Sequence, residues 1–77
     1  MVVEQPRFFT LEQVAEELNT SAAQVYALVR RGDLVAIRLG GRGQWRVERA
    51  KLEEFIERLY QETAQYVKEN PLTAGDD

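Results

Sequence analysis

Apolar positions along this chain fall into three successive rhythms. Leu11, Val14, Ala15 and Leu18 recur at steps of three and four, with Glu12, Glu16 and Glu17 between them, the pattern of an amphipathic helix. Thr10 stands where an N-cap belongs, and Gln13 three residues later completes a capping box. A second helix is predicted from Ala22 to Arg31. Ser21 caps it, Gln24 is the reciprocal partner, and Gly32 suits a left-handed C-terminal position. Val25, Leu28 and Val29 make its core stripe, which leaves Ala23, Ala27 and Arg30 outside, flanked by Tyr26 and Arg31. The Asn19-Thr20 break is tight, so the two helices meet at an angle, although the turn lacks the frequent glycine.

After Gly32 the period changes to two. Val35, Ile37 and Leu39 alternate with Ala36 and Arg38, and beyond Gly40-Gly41-Arg42-Gly43 the alternation returns in Trp45 and Val47 against Gln44 and Arg46. A two-stranded hairpin with a glycine tip is predicted. With Ile37, Leu39, Trp45 and Val47 on a buried face, Arg38 and Arg46 would project together from the other, with Arg42 at the tip.

The third rhythm is helical again. Glu48 opens a helix whose inner face is Leu52, Phe55, Ile56 and Leu59. The series Leu52, Ile56, Leu59, Thr63 and Tyr66 then continues in heptad-like steps past what two short helices can cover. Leu59, Thr63 and Tyr66 are therefore candidate contacts for a dimer or another protein partner; the alternative is one amphipathic helix packed on its own domain. Asn70-Pro71 ends the helix. The chain divides into a flexible N-terminal arm at residues 1–7, one domain at 8–69 and a disordered acidic tail at 70–77.

Composition narrows the chemistry. The 77 residues contain no cysteine and no histidine, which excludes disulfides, zinc fingers, and thiol or imidazole catalysis. Glu16 and Glu17 are adjacent on a helix, so they do not converge on a shared substrate. The G-G-R-G run lacks the spacing and terminal lysine of a phosphate-binding loop. The expectation is a non-enzymatic domain without cofactor or metal, held by packing alone at about 3 to 5 kcal/mol. Without a signal peptide or a spanning segment, it is expected in the cytoplasm, in association with the nucleoid.

Charge first argues against a polyanionic partner, the net value being −3 with a pI near 5.0. Its distribution along the chain argues for one. Residues 30–51 carry seven basic side chains and two acidic ones, a local balance of +5, and the remainder sums to −8. With a screening length of about 8 Å at physiological salt, a local basic surface acts on phosphates independently of acids on the far side.

The run S-x-x-Q-V-Y-x-L-V-R from Ser21, followed by G-x-L, A-I-R, G-x-R and W-R-V, resembles the excisionase-type helix-turn-helix family, small winged proteins related to MerR-like regulators. The resemblance covers about Phe8 to Leu59. It implies a mainly α fold with a small β-hairpin, a winged helix-turn-helix in the order α-α-β-β-α. It also implies that the second helix enters the major groove of duplex DNA while the wing lies over the backbone or adjacent minor groove, with Tyr26, Arg30, Arg38 and Arg42 in contact. Around them the candidate DNA surface includes Thr10, Ser21, Ala22, Ala23, Ala27, Arg31, Gly41 and Arg46.

Similar proteins often carry arginine or a long polar residue where this chain has Ala22, Ala23 and Ala27. Those alanines are either plain helix formers or sites of close approach to thymine methyl groups. Tyr26 either sits half-buried with its hydroxyl in water or reaches a phosphate or base edge. Specificity then leans on few contacts, on DNA shape, or on copies bound side by side. The implied roles are transcriptional regulation or recombination directionality. The competing reading is a protein-interaction module that uses the acidic helix faces and the last helix.

Overall fold

The computed structural model describes residues 6–71. Its elements are β1 (Phe8–Phe9), α1 (Leu11–Leu18), α2 (Ala22–Arg30), β2 (Ile37–Leu39), β3 (Gln44–Glu48) and α3 (Arg49–Glu69). The protein is thus mainly helical with a small antiparallel hairpin, a winged helix-turn-helix. A strand of two residues, absent from the pattern-based expectation, precedes α1. It pairs Phe8 with Glu48 and Phe9 with Val47, so the sheet has three strands in the order β1-β3-β2.

Local chemistry explains the two short helices. Thr10 Oγ1 accepts from Gln13 N–H at 3.0 Å and Gln13 Oε1 accepts from Thr10 N–H at 2.9 Å, a complete capping box. At α2 Ser21 Oγ accepts from Gln24 N–H at 3.1 Å, and among the described residues only this half of the expected box forms. The missing turn glycine is replaced by Asn19, which takes the left-handed conformation at φ 56°. Asn19 N–H donates to Glu16 O and Thr20 N–H to Ala15 O, which satisfies the last carbonyls of α1.

α2 ends in the same device. Gly32, at φ 82°, donates to Val29 O while Asp33 N–H donates to Leu28 O, both at 3.0 Å. This reversal drops Leu34 into the core at 1% exposure. The phase of the following alternation is set there: Leu34 and Ala36 turn inward, while Val35, Ile37 and Leu39 turn out.

The hairpin register corrects the expected faces. Ile37 lies opposite Arg46, Arg38 opposite Trp45, and Leu39 opposite Gln44. Residues directly opposite across an antiparallel pair share a face. Ile37 and Leu39 therefore share a face with Arg46, not with Trp45 and Val47, and they are exposed at 46% and 49%. Arg38 and Arg46 lie on opposite faces instead of projecting together. The cause is loop parity. Residues 40–43 form a turn of even length, so odd-numbered positions of one strand must oppose even-numbered positions of the other.

The core is Val14, Ala15, Val25, Leu34, Val47, Leu52 and Phe55, one contribution or more from every helix and from the inner face of the sheet. Burying each large side chain contributes about 1.5–3 kcal/mol. α3 joins this core only through its first two turns, and every residue from 57 to 70 is exposed. Arg58 still donates to Asp33 O, and Leu59 and Glu62 line a groove with Leu28 and Phe55; residues 63–69 overhang beyond it.

Candidate nucleic-acid interface

α2 presents a narrow outward stripe. Ala23, Tyr26, Ala27 and Arg30 follow the spacing of one helix face, Ala23, Tyr26 and Arg30 being exposed and Ala27 and Ala22 half-buried. The Arg30 guanidinium lies 5.8 Å from the centre of the Tyr26 ring, a cation–π pair one helical turn apart. Tyr26 keeps 43% of its surface in solvent, so the pair stands on the surface rather than in the core. The capping oxygens of Thr10 and Ser21 accept backbone N–H bonds, which leaves each hydroxyl proton free to be donated outward.

The wing contributes a different set. Gly40 and Gly43 take left-handed backbone at φ 80° and 70°, which folds the chain back and leaves Gly41 and Arg42 at an open tip. Arg38 is exposed on the face shared with Trp45 and Val47. Arg46 is half-buried on the other face, and its Nη1 donates to Trp45 O at 2.8 Å. Trp45 is half-buried on the Arg38 face and lines a shallow groove with Leu11 and Glu12 of α1, outside the core cluster.

The expected single ridge of free arginines needs a second correction. Arg31 forms an ion pair with Asp33, Nη2 to Oδ2 at 2.9 Å and Nε to the same oxygen at 3.0 Å. Asp33 follows Gly32 in the capping turn, which brings its carboxylate back toward the end of α2. The pair is more than half exposed at Arg31, and such surface pairs contribute only about 0–1 kcal/mol, so a phosphate can compete for it. Among the described residues Arg30, Arg38, Arg42 and Arg46 pair with no carboxylate. The acids gather elsewhere: α1 carries Glu12, Glu16 and Glu17 on its exposed side, and most of the rest lie on α3.

Two features escape the sequence pattern. Arg7 joins Glu48 at 3.0 Å and lies 5.6 Å from the Phe8 ring, while its carbonyl accepts from Arg49 N–H at 2.7 Å. The available clue is the Phe8-Phe9 pair, whose two aromatic rings suit a strand as well as a lead into the core. The second is the outward row Val35, Ile37 and Leu39, which the even count of loop residues implies. Leu59, Thr63 and Tyr66 are exposed on α3; Leu59 borders a groove that Leu28 and Arg31 also line, and Thr63 and Tyr66 lie further along the helix.

Paired helices with a capped, solvent-facing second helix and an arginine-bearing hairpin define a winged helix-turn-helix protein. Residues 8–60 match the family described as helix-turn-helix domain, and the chain belongs to that family. No curated protein and no solved structure matches it. The family assignment makes this a DNA-binding helix-turn-helix protein, of a kind that is typically non-enzymatic. Among the described residues no helix is long and apolar enough to cross a membrane.

Proposed function

We propose that this protein binds duplex DNA by laying α2 into the major groove and the glycine-tipped wing along the neighbouring backbone or minor groove, as a transcriptional regulator or an excisionase-like recombination directionality factor. The observation that carries this reading is the division of charge. Four arginines on α2 and the hairpin have no carboxylate partner among the described residues, while acids occupy α1 and α3. Unpaired like charges on so small a domain repel, and a phosphate backbone relieves that repulsion.

Ser21 sits at the N-terminus of α2, where free backbone N–H groups and the helix dipole favour an anion. Phosphates held there and by Arg38 and Arg42 set the register; Tyr26 and Arg30 meet base edges; Ala23 and Ala27 permit close approach. So small a reading surface gives limited base discrimination, and DNA shape supplies the remainder. The exposed seam of α3, through Leu59, Thr63 and Tyr66, is the contact for a second copy or another protein. The setting for this function is the bacterial or phage nucleoid.

Fluorescence anisotropy of labelled duplexes across a salt series tests the reading. Log affinity should fall linearly with log salt, by about 0.9 per phosphate neutralised. Absence of binding at low salt would overturn it in favour of a protein-interaction module.

A further inference from the structure

Exposed large hydrophobic side chains are not scattered over this molecule. Among the described residues there are nine, and eight of them form two patches, the ninth being Tyr26 on α2. One patch is the outer face of the sheet. Glu48, Arg46 and Gln44 alternate on one face of β3, and their partners Phe8, Ile37 and Leu39 share that face. Val35 extends the row by the same alternation, 54% exposed. The other patch is on the exposed part of α3, where Leu59, Tyr60, Tyr66 and Val67 continue the stripe that Leu52, Phe55 and Ile56 begin. Tyr60 and Tyr66 are 72% and 57% exposed. Monomeric domains rarely leave contiguous apolar patches uncovered.

The two patches cannot cover each other within one chain. Leu52 and Phe55 hold α3 against Val47 on the inner face of the sheet, and a continuous helix cannot turn back to reach the outer face. We infer that the exposed α3 stripe of one copy docks on the outer sheet face of a second copy of this chain.

Charge selects this crossed arrangement. Glu62 and Glu69 flank the helical stripe with Arg58 paired to Glu62, a net −1, whereas the sheet face carries Arg46 in its middle and the Arg7–Glu48 pair at the Phe8 edge, a net +1. Like faces would appose the same net sign, and helix against sheet opposes unlike net charge. Dimensions agree as well. The stripe from Leu59 to Val67 rises about 13 Å, within the roughly 17 Å that the five residues of β3 span. One helix on a small sheet buries less than the roughly 1,600 Å² of a standard interface, so free copies associate weakly and copies held together on DNA associate well. Because the two surfaces differ, each added copy leaves one of each kind unfilled, and the contact propagates unless its rotation closes a ring.

The inference rests on reading the α3 seam as a protein contact and is independent of DNA binding. Its test is sedimentation velocity without DNA, over a concentration series, on the full chain and two variants. Ile37→Glu spoils the sheet face, with Ile37→Thr as the milder β-branched change should the first unfold. Tyr60→Glu combined with Tyr66→Glu spoils the helix stripe at two exposed positions. The wild-type chain should gain mass with concentration, and each variant alone should stay monomeric. An equimolar mixture of the two variants should form a dimer and grow no further, because only one intact helix–sheet contact is available. Self-association of the sheet variant at wild-type strength would overturn the crossed docking while leaving the seam itself as a contact surface. A wild-type chain monomeric throughout would overturn both.

Discussion

Arg38 stands directly opposite Trp45 across β2 and β3, so its side chain leaves the hairpin on the face that carries Val47 into the core. Arg46, one residue further along β3, leaves on the other face and turns its guanidinium to the Trp45 carbonyl. A duplex lying against one face of the ribbon therefore meets one of these two arginines, and only the tip residue Arg42 is available from either side.

Arg42→Ala and Arg38→Ala should each weaken DNA binding on unrelated sequences alike and lower the salt slope by about 0.9. Arg46→Ala should cost less, its charge being engaged with a backbone carbonyl of its own chain. Anisotropy titrations of the three variants on two unrelated duplexes distinguish them. Equal losses for Arg38 and Arg46 would mean that the wing is clasped on both faces.

Ser21→Asp separates folding from binding. Aspartate caps a helix as well as serine and favours the N-terminal dipole, so thermal stability should hold, whereas Ser21→Ala should lose about 1 kcal/mol. The same carboxylate would stand where a phosphate is expected at the start of α2, and DNA affinity should drop. Unchanged affinity in Ser21→Asp would place the phosphate elsewhere.

Tyr26→Ala removes a surface ring and its stacking on Arg30 without opening the core, since Tyr26 is 43% exposed. Stability should change by no more than about 0.5 kcal/mol. Selection of bound sequences from a random DNA pool should yield a different or broader preference than the wild type. An unaltered preference would reduce Tyr26 to a phosphate contact.

The wing glycines are unequal. At Gly40 and Gly43 the backbone is left-handed, and alanine should cost about 1–2 kcal/mol there although Gly40 has no neighbour within 4 Å to clash with. Gly41 has no such constraint and open space around it, so Gly41→Ala should be neutral or stabilising by about 0.4–1 kcal/mol. Urea denaturation of the three variants measures the order.

Leu34 and Val35 are neighbours in sequence and opposites in burial, at 1% and 54% exposure. Leu34→Ala should lose about 2–5 kcal/mol, enough to threaten so small a fold, while Val35→Ala should stay within about 0.5 kcal/mol. Chemical denaturation of each variant checks the inward phase of the chain after Gly32.

Helix positions and caps are legible in the sequence because they depend on residues within one or two turns. Thr10 with Gln13, Ser21 with Gln24, and Gly32 all act over three to five positions, and the stripes of α1 and α2 need only the helical period. Asn19 in place of a turn glycine is less legible, although asparagine is among the few residues after glycine that take left-handed backbone readily. The hairpin is legible as two strands and a tip but not as two faces. Alternation alone cannot tell which of two phases is buried, and a shift of one residue moves every side chain across the sheet.

For this protein, then, linear order was sufficient for the three helices, the hairpin, the basic middle and the family pattern, since each is encoded by near neighbours. Three-dimensional packing decided the rest. The Gly32 reversal chose Leu34 over Val35 for the core, and the even turn placed Arg38 and Arg46 back to back. The added strand at Phe8–Phe9 completed a sheet whose outer face is left apolar. Those outcomes depend on how strands and helices distant along the chain meet, where the physical constraint is which surfaces can be buried together rather than what any short stretch prefers.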